Sequence, residues 1–218
     1  SEMCIRDRIC STGLDNSTIT GDYTIGIKSE WLSLVGDVFG RYISGISGDY
    51  LFHSVPYYSM SEEDLELEEF NKLGEQASQG CVRLAVSDAK WVYDNCPTGT
   101  NVSIYDDAEN AGPLGKPDAI KITDFTNKWD PTDSNKKCPY AKATPIISGA
   151  NDYTIKSGGE FYALAGVTAV DTCGNDITSN IEVFGNVVTT RKGKYKVTYS
   201  VTDVLKRTSS VTITVTVQ

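Results

Sequence analysis

The chain has 218 residues and a net charge of −9, and it contains 39% hydrophobic and 22% charged residues. These values describe a globular protein with room for one large domain or two ordinary ones, and no apolar run approaches the roughly 18–20 residues of a transmembrane helix. The acidic excess lies before residue 144 and no basic stripe is present, which argues against nucleic-acid binding because that binding depends on neutralising phosphates.

The first residues, "SEMCIRDR", are typical neither of a signal peptide nor of a strand. The part from Met3 to Arg8 resembles the translated transposon end used to prepare sequencing libraries. We therefore interpret residues 1–8 as a sequencing artefact. In that case Cys4 has no functional meaning, and the fragment does not include the signal peptide.

Residues 9–107 combine strands and helices. The stretches "YTIGIKSEW" and "DYLFHSVPYY" place aromatic and β-branched residues beside Gly turns, which predicts strands. "SMSEEDLELEEFNKLGEQA" predicts a helix that Ser61 caps and Gly74 closes. "VSDAKWVYDNCPTG" predicts a second helix capped by Ser87, and "TNVSIYDD" predicts a returning strand.

Residues 108–143 are rich in Pro, Asp, Asn and Lys with little periodicity, which predicts a linker. From residue 144 to 218 the pattern becomes all-β. In "KYKVTYSVTD" the alternate residues Tyr195, Val197, Tyr199 and Val201 form one face of a strand. About 75 residues of short strands predict a small β-sandwich.

The six cysteines show no CxxC or Cys/His spacing, so we expect no metal site. Cys81, in "ASQGCVRLAVSDAKW", could be a nucleophile, half of a disulfide or a small buried side chain. A nucleophilic thiol needs a base or a positive charge nearby. Arg83 would share a strand face with Cys81, and His53 is the one histidine of the chain. Spacing alone favours a structural role for both Cys81 and His53.

The motif "SQGCVRL" resembles the active-site signature of the bacterial L,D-transpeptidases, the YkuD-like catalytic domain. The phrases "CSTG", "LFHSVPYY" and "GTNVSIYDD" agree with it, so the resemblance covers residues 9–107. It implies a fold that is mainly β with some α. It also implies strands before "ICSTG" that this sequence lacks, so the domain is expected to be N-terminally truncated.

Carried over to these positions, the resemblance makes Cys81 the nucleophile and His53 the general base. Ser54 would hold the imidazole through its backbone carbonyl, and N–H groups at Gly80 and Cys81 would form the oxyanion hole. Substrate contacts are expected from Arg83, which could instead form a salt bridge to an acid. The other expected substrate contacts are Gln79 (where many members have histidine), Ser78 and Tyr57.

The implied reaction is acyl transfer without a cofactor. Cys81 would form a thioester with the L-centre of a tetrapeptide stem, release D-Ala, and pass the acyl group to an amine of a second stem as a 3→3 cross-link. The partners are therefore donor and acceptor peptidoglycan stems, and a carbapenem would inhibit. Two alternatives remain: an L,D-carboxypeptidase that uses water at the same site, and an inactive wall-binding protein.

The phrase "GVTAVDTCGNDITSNIEVFGNVVTTRKGKYKVTYSVTD" resembles the Ig-like modules of bacterial surface proteins. Its signature residues are glycines and aspartates of turns and apolar residues of strands. The resemblance therefore implies a fold without any chemistry, and the simplest role for the module is that of a spacer. Together the two resemblances imply an extracellular, cell-wall-associated protein. That setting would permit a disulfide between Cys10 and Cys96.

Overall fold

A computed structural model describes residues 7–107, 109 and 115–218 of the chain, so most of the segment interpreted as an artefact lies outside the described residues. The chain divides into unit 1, Ser1–Ala141, and unit 2, Lys142–Gln218. Both units are built mainly from strands, which confirms the predicted fold class. No helix within the described ranges is both long and apolar enough to cross a membrane.

Unit 1 is organised around a six-stranded mixed sheet of order β3-β4-β5-β7-β1-β6, and a separate antiparallel pair joins β2 to β8. The central contact is the parallel pairing of β5 with β7, and β1 runs antiparallel on the other side of β7. The bounds are β1 Cys10–Gly13, β2 Gly21–Thr24, β3 Lys28–Leu34, β4 Val38–Ser47, β5 Tyr50–Ser54, β6 Gln76–Ser78, β7 Val82–Leu84, β8 Asn101–Ile104, α1 Leu67–Phe70 and α2 Val86–Asn95.

The first predicted helix is much shorter than its acid-rich sequence suggests. Only α1 is helical, and the Ser61 hydroxyl accepts from the Glu63 N–H within a turn instead of capping a helix. The backbone N–H groups just before α1 bind carbonyls outside the predicted helix. Leu65 N–H donates to the Lys128 carbonyl at 2.9 Å, and Glu66 N–H donates to the Pro56 carbonyl at 3.0 Å. Tertiary pairing of the backbone therefore outweighs the helix propensity.

The second predicted helix is present as α2, but Ser87 does not cap it. Its N-terminal N–H groups are bound by a distant segment: Val86 N–H donates to Asp130 Oδ2 at 2.7 Å, and Ser87 N–H to Thr132 Oγ1 at 3.1 Å. A carboxylate at a helix N-terminus satisfies orphan donors and complements the helix dipole. Asp130 and Thr132 thus supply the cap that the local sequence does not provide.

The structure differs from the linker interpretation, because residues 115–141 are part of unit 1 and pack on its other elements. Trp129, Asp130 and Asp133 are buried. The buried Arg41 of β4 forms salt bridges to Asp133 at 3.1 Å, to Glu62 at 3.0 Å and to Glu30 at 3.2 Å. Paired charges compensate for burial, so this polar segment can cover the sheet despite its lack of apolar periodicity.

Unit 2 contains a four-stranded sheet of order β10-β14-β13-β12 and a two-stranded sheet of β11 and β9. Val197, Tyr199 and Val201 of β13 are buried with Ala169 of β11, and Tyr195 packs at their edge, which confirms the predicted inward face. The bounds are β9 Ile146–Ser148, β10 Tyr153–Ile155, β11 Thr168–Val170, β12 Glu182–Phe184, β13 Gly193–Thr202 and β14 Thr208–Val217.

The predicted disulfide is not formed. Cys10 and Cys96 are both free thiols, as are Cys81, Cys138 and Cys173. Cys10 lies at the start of β1, where burial raises the pKa of its thiol. The expectation of a disulfide depended on shared motifs and not on geometry, which sequence cannot supply.

Candidate active site

Neighbouring strands bring His53, Cys81 and Arg83 to one pocket. In the parallel pairing of β5 with β7, His53 lies opposite Arg83. Cys81 immediately precedes β7 and is two residues from Arg83, so strand alternation gives both side chains the same face. All three residues line a pocket of about 490 Å³. The sheet register therefore assembles residues that are up to 30 positions apart in sequence.

The His53 ring has a fixed tautomer. It is 2% exposed, and its Nδ1 lies 2.6 Å from the backbone carbonyl oxygen of Ser54. Since a carbonyl only accepts, Nδ1 must carry the hydrogen and Nε2 is left as a base. Burial lowers the pKa of His53 from 6.5 to about 4, assisted by the charge of Arg83 and opposed by the Ser54 hydrogen bond. The imidazole is therefore neutral at pH 7 and able to accept a proton.

A glycine of β4 allows the imidazole to pack in this position. A Cβ atom at Gly40 would lie 3.1 Å from His53 Nδ1 and 2.9 Å from Ile43 Cδ1. The first contact is closer than side chains normally permit. Gly40 therefore supports the orientation of His53 by leaving space, a role that the sequence pattern did not indicate.

Cys81 is half-buried, and its thiol donates to the backbone carbonyl of Asp49 with the sulfur at 3.4 Å. Burial raises the pKa of Cys81; the Leu51 N–H and the charge of Arg83 lower it, and the charge of Asp49 raises it further. The net effect is a raised pKa, so the thiol is protonated at neutral pH. The resting pair is thus a neutral thiol and a neutral imidazole, so attack on a carbonyl requires proton transfer to His53.

The loop that presents Cys81 is held by Ser78 and requires glycine at position 80. The Ser78 hydroxyl accepts from the Gly80 N–H at 3.0 Å and donates to the Cys81 carbonyl at 2.6 Å. Gly80 has φ of +133°, and a Cβ there would lie 2.6 Å from Tyr50. Because Ser78 already binds the Gly80 N–H, that group is not free to serve the expected oxyanion hole, which leaves the Cys81 N–H as the candidate.

Arg83 forms the salt bridge that the sequence left as an alternative. Its Nη1 lies 2.5 Å from Glu69 Oε2, while its buried Nε has no hydrogen-bond partner among the described residues. Burial raises the pKa of Glu69, but the hydrogen bonds from Lys72 and Arg83 outweigh it and leave that pKa lowered. Gln79 is exposed and lines the pocket. Arg83 and Gln79 both line the pocket, so their side chains can reach a bound substrate.

The structure does not place Tyr57 at the pocket. Its side chain is fully buried, and its ring meets that of Trp31 edge-on with centroids 5.2 Å apart. Its backbone forms bridges with Phe39 and Leu65. The neighbouring Pro56 lines the pocket instead. The expected substrate contact at Tyr57 is therefore corrected to a core position.

The pocket has an apolar wall and one unbalanced charge. The β3–β4 hairpin contributes its apolar residues Leu32, Leu34, Val35 and Val38. Among the described lining residues, Asp49 is the only acid. It is exposed, whereas the one cationic lining residue, Arg83, is already paired with Glu69. The charge near Cys81 that no ion pair neutralises is thus negative.

Comparisons with known proteins match each unit separately. Residues 5–104 match the family model of the L,D-transpeptidase catalytic domain (YkuD), and residues 145–217 match that of the Ig-like domain of bacterial surface proteins. A curated protein of Bacillus subtilis (strain 168), named "Putative L,D-transpeptidase YciB", is 49% identical over 57 residues. That alignment covers 26% of this chain and 28% of the relative, so the chain spans less than a third of the relative's length.

Solved structures that are similar to part of this chain include two L,D-transpeptidases. An L,D-transpeptidase from Mycobacterium smegmatis is 19% identical with a TM-score of 0.38, and the match covers 47% of this chain and 49% of that one. An L,D-transpeptidase in complex with imipenem is 18% identical with a TM-score of 0.37, covering 46% of this chain and 49% of that one.

Proposed function

For this chain, which carries an L,D-transpeptidase catalytic domain followed by a bacterial Ig-like surface domain, we propose a peptidoglycan L,D-transpeptidase with Cys81 as nucleophile and His53 as general base. The observation that carries the proposal is the fixed, neutral imidazole of His53 in the same pocket as the Cys81 thiol. A neutral base in the same pocket as a protonated thiol supplies the two groups that general-base attack on an amide requires.

In the first step His53 Nε2 takes the thiol proton while the sulfur attacks the carbonyl carbon of the L-centre of a tetrapeptide stem. A C–S bond forms, the C–N bond to the terminal D-Ala breaks, and the imidazolium returns its proton to the leaving amine. The step ends with a thioester at Cys81 and His53 neutral again. The low pKa of His53, about 4, makes its imidazolium a strong acid toward that amine.

In the second step a neutral amine of another stem attacks the thioester and gives up a proton to His53 Nε2. A C–N bond forms, the C–S bond breaks, and the imidazolium returns the proton to the sulfur to restore the thiol. Asp49 supports an amine as the acceptor. Its carboxylate influences the thiol by charge, lines the pocket and is not neutralised by an ion pair among the described residues. A negative charge beside the thioester raises the local concentration of ammonium groups, whereas it does not enrich neutral water in the same way. This favours the cross-linking reaction over the L,D-carboxypeptidase reaction.

Acylation can be tested with imipenem and intact-mass measurement. We expect one covalent adduct that retains the whole inhibitor mass, because ring opening releases no leaving group. Cys81→Ala should form none, and His53→Asn should form it at least 100-fold more slowly, within the range of general-base contributions. A wild-type chain that forms no adduct would contradict the proposal and favour the inactive wall-binding alternative.

Product analysis with tetrapeptide stems then separates transfer from hydrolysis. We expect cross-linked dimer from the wild type, and a roughly fivefold higher acceptor KM for Asp49→Asn, because one charge contributes about 1 kcal/mol at 4 Å in water. Asp37→Asn is the matched control, since Asp37 is exposed in the β3–β4 turn and does not line the pocket. Formation of tripeptide alone, at any acceptor concentration, would identify the chain as a carboxypeptidase.

We propose a cell-wall-associated, extracellular location, in which unit 2 acts as a spacer. Its signature apolar residues form a buried core, and its signature Asp171 accepts from the backbone N–H groups of Cys173 and Asn175, so these residues explain a fold and not a binding site. Sedimentation of the full chain with purified peptidoglycan, compared with a chain ending at residue 143, tests this role. Equal binding by both is expected, and a loss of binding on removal of unit 2 would contradict the spacer role.

A further inference from the structure

The hydroxyl of Thr18 links the strand before it to the loop that presents the nucleophile. Thr18 Oγ1 accepts from the Gly13 N–H at 2.7 Å and lies 2.9 Å from the backbone carbonyl oxygen of Gly80. Because the Gly13 N–H can only donate and the Gly80 carbonyl can only accept, the hydroxyl proton must point to Gly80. Both bonds are partly buried, and each has the distance of a well-formed hydrogen bond.

The contact between the two segments is close as well as polar. A Cβ atom at Gly13 would lie 2.8 Å from the Cα atom of Gly80 and 2.9 Å from the backbone nitrogen of Thr18. The backbone of the Cys81 loop therefore lies directly against β1. In this arrangement the hydroxyl of Thr18 determines the direction of the Gly80 carbonyl.

The direction of that carbonyl determines the direction of the next N–H. A trans peptide is planar, with its C=O and N–H pointing opposite ways, so a carbonyl held toward Thr18 turns the Cys81 N–H away from it. Ser78 meanwhile occupies the N–H of Gly80 and the carbonyl of Cys81. Side-chain hydroxyls thus hold three of the four polar backbone groups of Gly80 and Cys81. The fourth is the Cys81 N–H.

We propose that Thr18 is a positioning residue: through the Gly80 carbonyl, its hydroxyl aims the Cys81 N–H at the oxyanion of the tetrahedral intermediate. This inference rests on the proposed acyl-transfer function and deepens it. An oxyanion donor must be directed before the reaction occurs, because reorienting a peptide during the reaction adds to the barrier. The hydroxyl provides that preorganisation from outside the pocket.

The test compares two reactions of the same sulfur. Acylation by imipenem builds negative charge on a carbonyl oxygen, whereas alkylation by iodoacetamide displaces iodide and builds none there. For Thr18→Val, which keeps the shape and removes the hydroxyl, we expect the maximal acylation rate to fall roughly 10- to 100-fold, somewhat less than loss of a whole oxyanion donor. The half-saturating imipenem concentration and the alkylation rate at Cys81 should change less than threefold.

Thr18→Ser is the matched control and should restore acylation to within threefold of wild type, since it keeps the hydroxyl. If Thr18→Val does not fold, as judged by tryptophan fluorescence, Thr18→Ala is used with the same expected split. Equal losses of acylation and alkylation would overturn the inference, because they would mean that Thr18 only holds the loop. Unchanged acylation in the variant would overturn it while leaving the proposed function intact. No acylation of the wild type would overturn both.

Discussion

Two buried groups in unit 1 make opposite contributions to the pH dependence of its stability. Replacing either group should therefore make the contribution of the remaining group measurable. His53 is 2% exposed and has its pKa lowered by burial from 6.5 to about 4. Asp130 is fully buried and has its pKa raised by burial from 3.8 to about 6, against the hydrogen bonds from Thr132 and Val86. Each shift corresponds to roughly 3 kcal/mol in the free energy of unfolding.

The signs follow from proton binding. Between pH 6.5 and about 4 the unfolded chain binds a proton at His53 and the folded chain does not, so the His53 contribution to stability is lost as pH falls through that window. Between pH 3.8 and about 6 the folded chain holds a proton on Asp130 and the unfolded chain does not. Stability is therefore lost at Asp130 as pH rises through nearly the same window. In the wild type these two contributions largely cancel.

In the wild type the free energy of unfolding should differ little between pH 4 and pH 7 on account of these two groups. In His53→Asn we expect it to be roughly 3 kcal/mol higher at pH 4 than at pH 7, because only the Asp130 contribution remains. Asp130→Asn should show the opposite change, with roughly 3 kcal/mol less stability at pH 4 than at pH 7. The variants also change stability at every pH, through lost hydrogen bonds. The comparison therefore uses the slope with pH and not the absolute value.

Urea unfolding at several pH values from 3.5 to 7, followed by tryptophan fluorescence, measures these slopes. Trp31, Trp91 and Trp129 are the three tryptophans of the chain and all belong to unit 1, so the signal reports that unit. The reasoning is refuted if His53→Asn keeps the pH dependence of the wild type. A slope of the same sign in both variants would refute the assignment of opposite contributions.

Two further predictions concern the Cys81 loop. Alkylation of Cys81 by iodoacetamide, mapped by peptide mass, should accelerate roughly tenfold per pH unit from pH 7 to 9, because burial raises the pKa of the thiol; a rate plateau below pH 7 would instead reveal a preformed thiolate. Gly13→Ala should lower imipenem acylation at least tenfold and cost about 1–3 kcal/mol of stability, since its Cβ would overlap backbone atoms of Gly80 and Thr18. Gly26→Ala, whose Cβ would meet only the Gly45 carbonyl at 3.9 Å, is its control, and equal effects of the two would argue against a specific role of Gly13.

Much of the fold could be predicted because local patterns agree with the tertiary structure. The alternation in "KYKVTYSVTD" places Val197, Tyr199 and Val201 on a buried face, as found. Helix α2 follows from its own sequence and from the Pro97 and Gly99 that end it. The first predicted helix failed, however. Its backbone pairs with Pro56 and Lys128, and no local signal in the acid-rich run indicates those distant partners.

The residues of the candidate site divide in the same way. "SQGCVRL" and "LFHSVPYY" identified Cys81 and His53 through a family resemblance, and the pairing of β5 with β7 places both at one pocket. The prediction that Tyr57 contacts substrate was wrong, because its side chain is buried in the core and packs against Trp31. Asp49 and Gly40 carried no motif of their own, since their roles depend on what lies opposite them in space.

By itself the sequence indicated the β-rich architecture of both units and, through a family resemblance, the candidate thiol and imidazole with the chemistry expected of them. Only the tertiary structure decided their ionisation, because the pKa of His53 depends on burial and on the Ser54 carbonyl. It also decided that residues 115–141 fold as part of unit 1, since their buried charges find partners such as Arg41 far away in the sequence. Burial and long-range pairing are properties of the folded chain, and no local pattern encodes them.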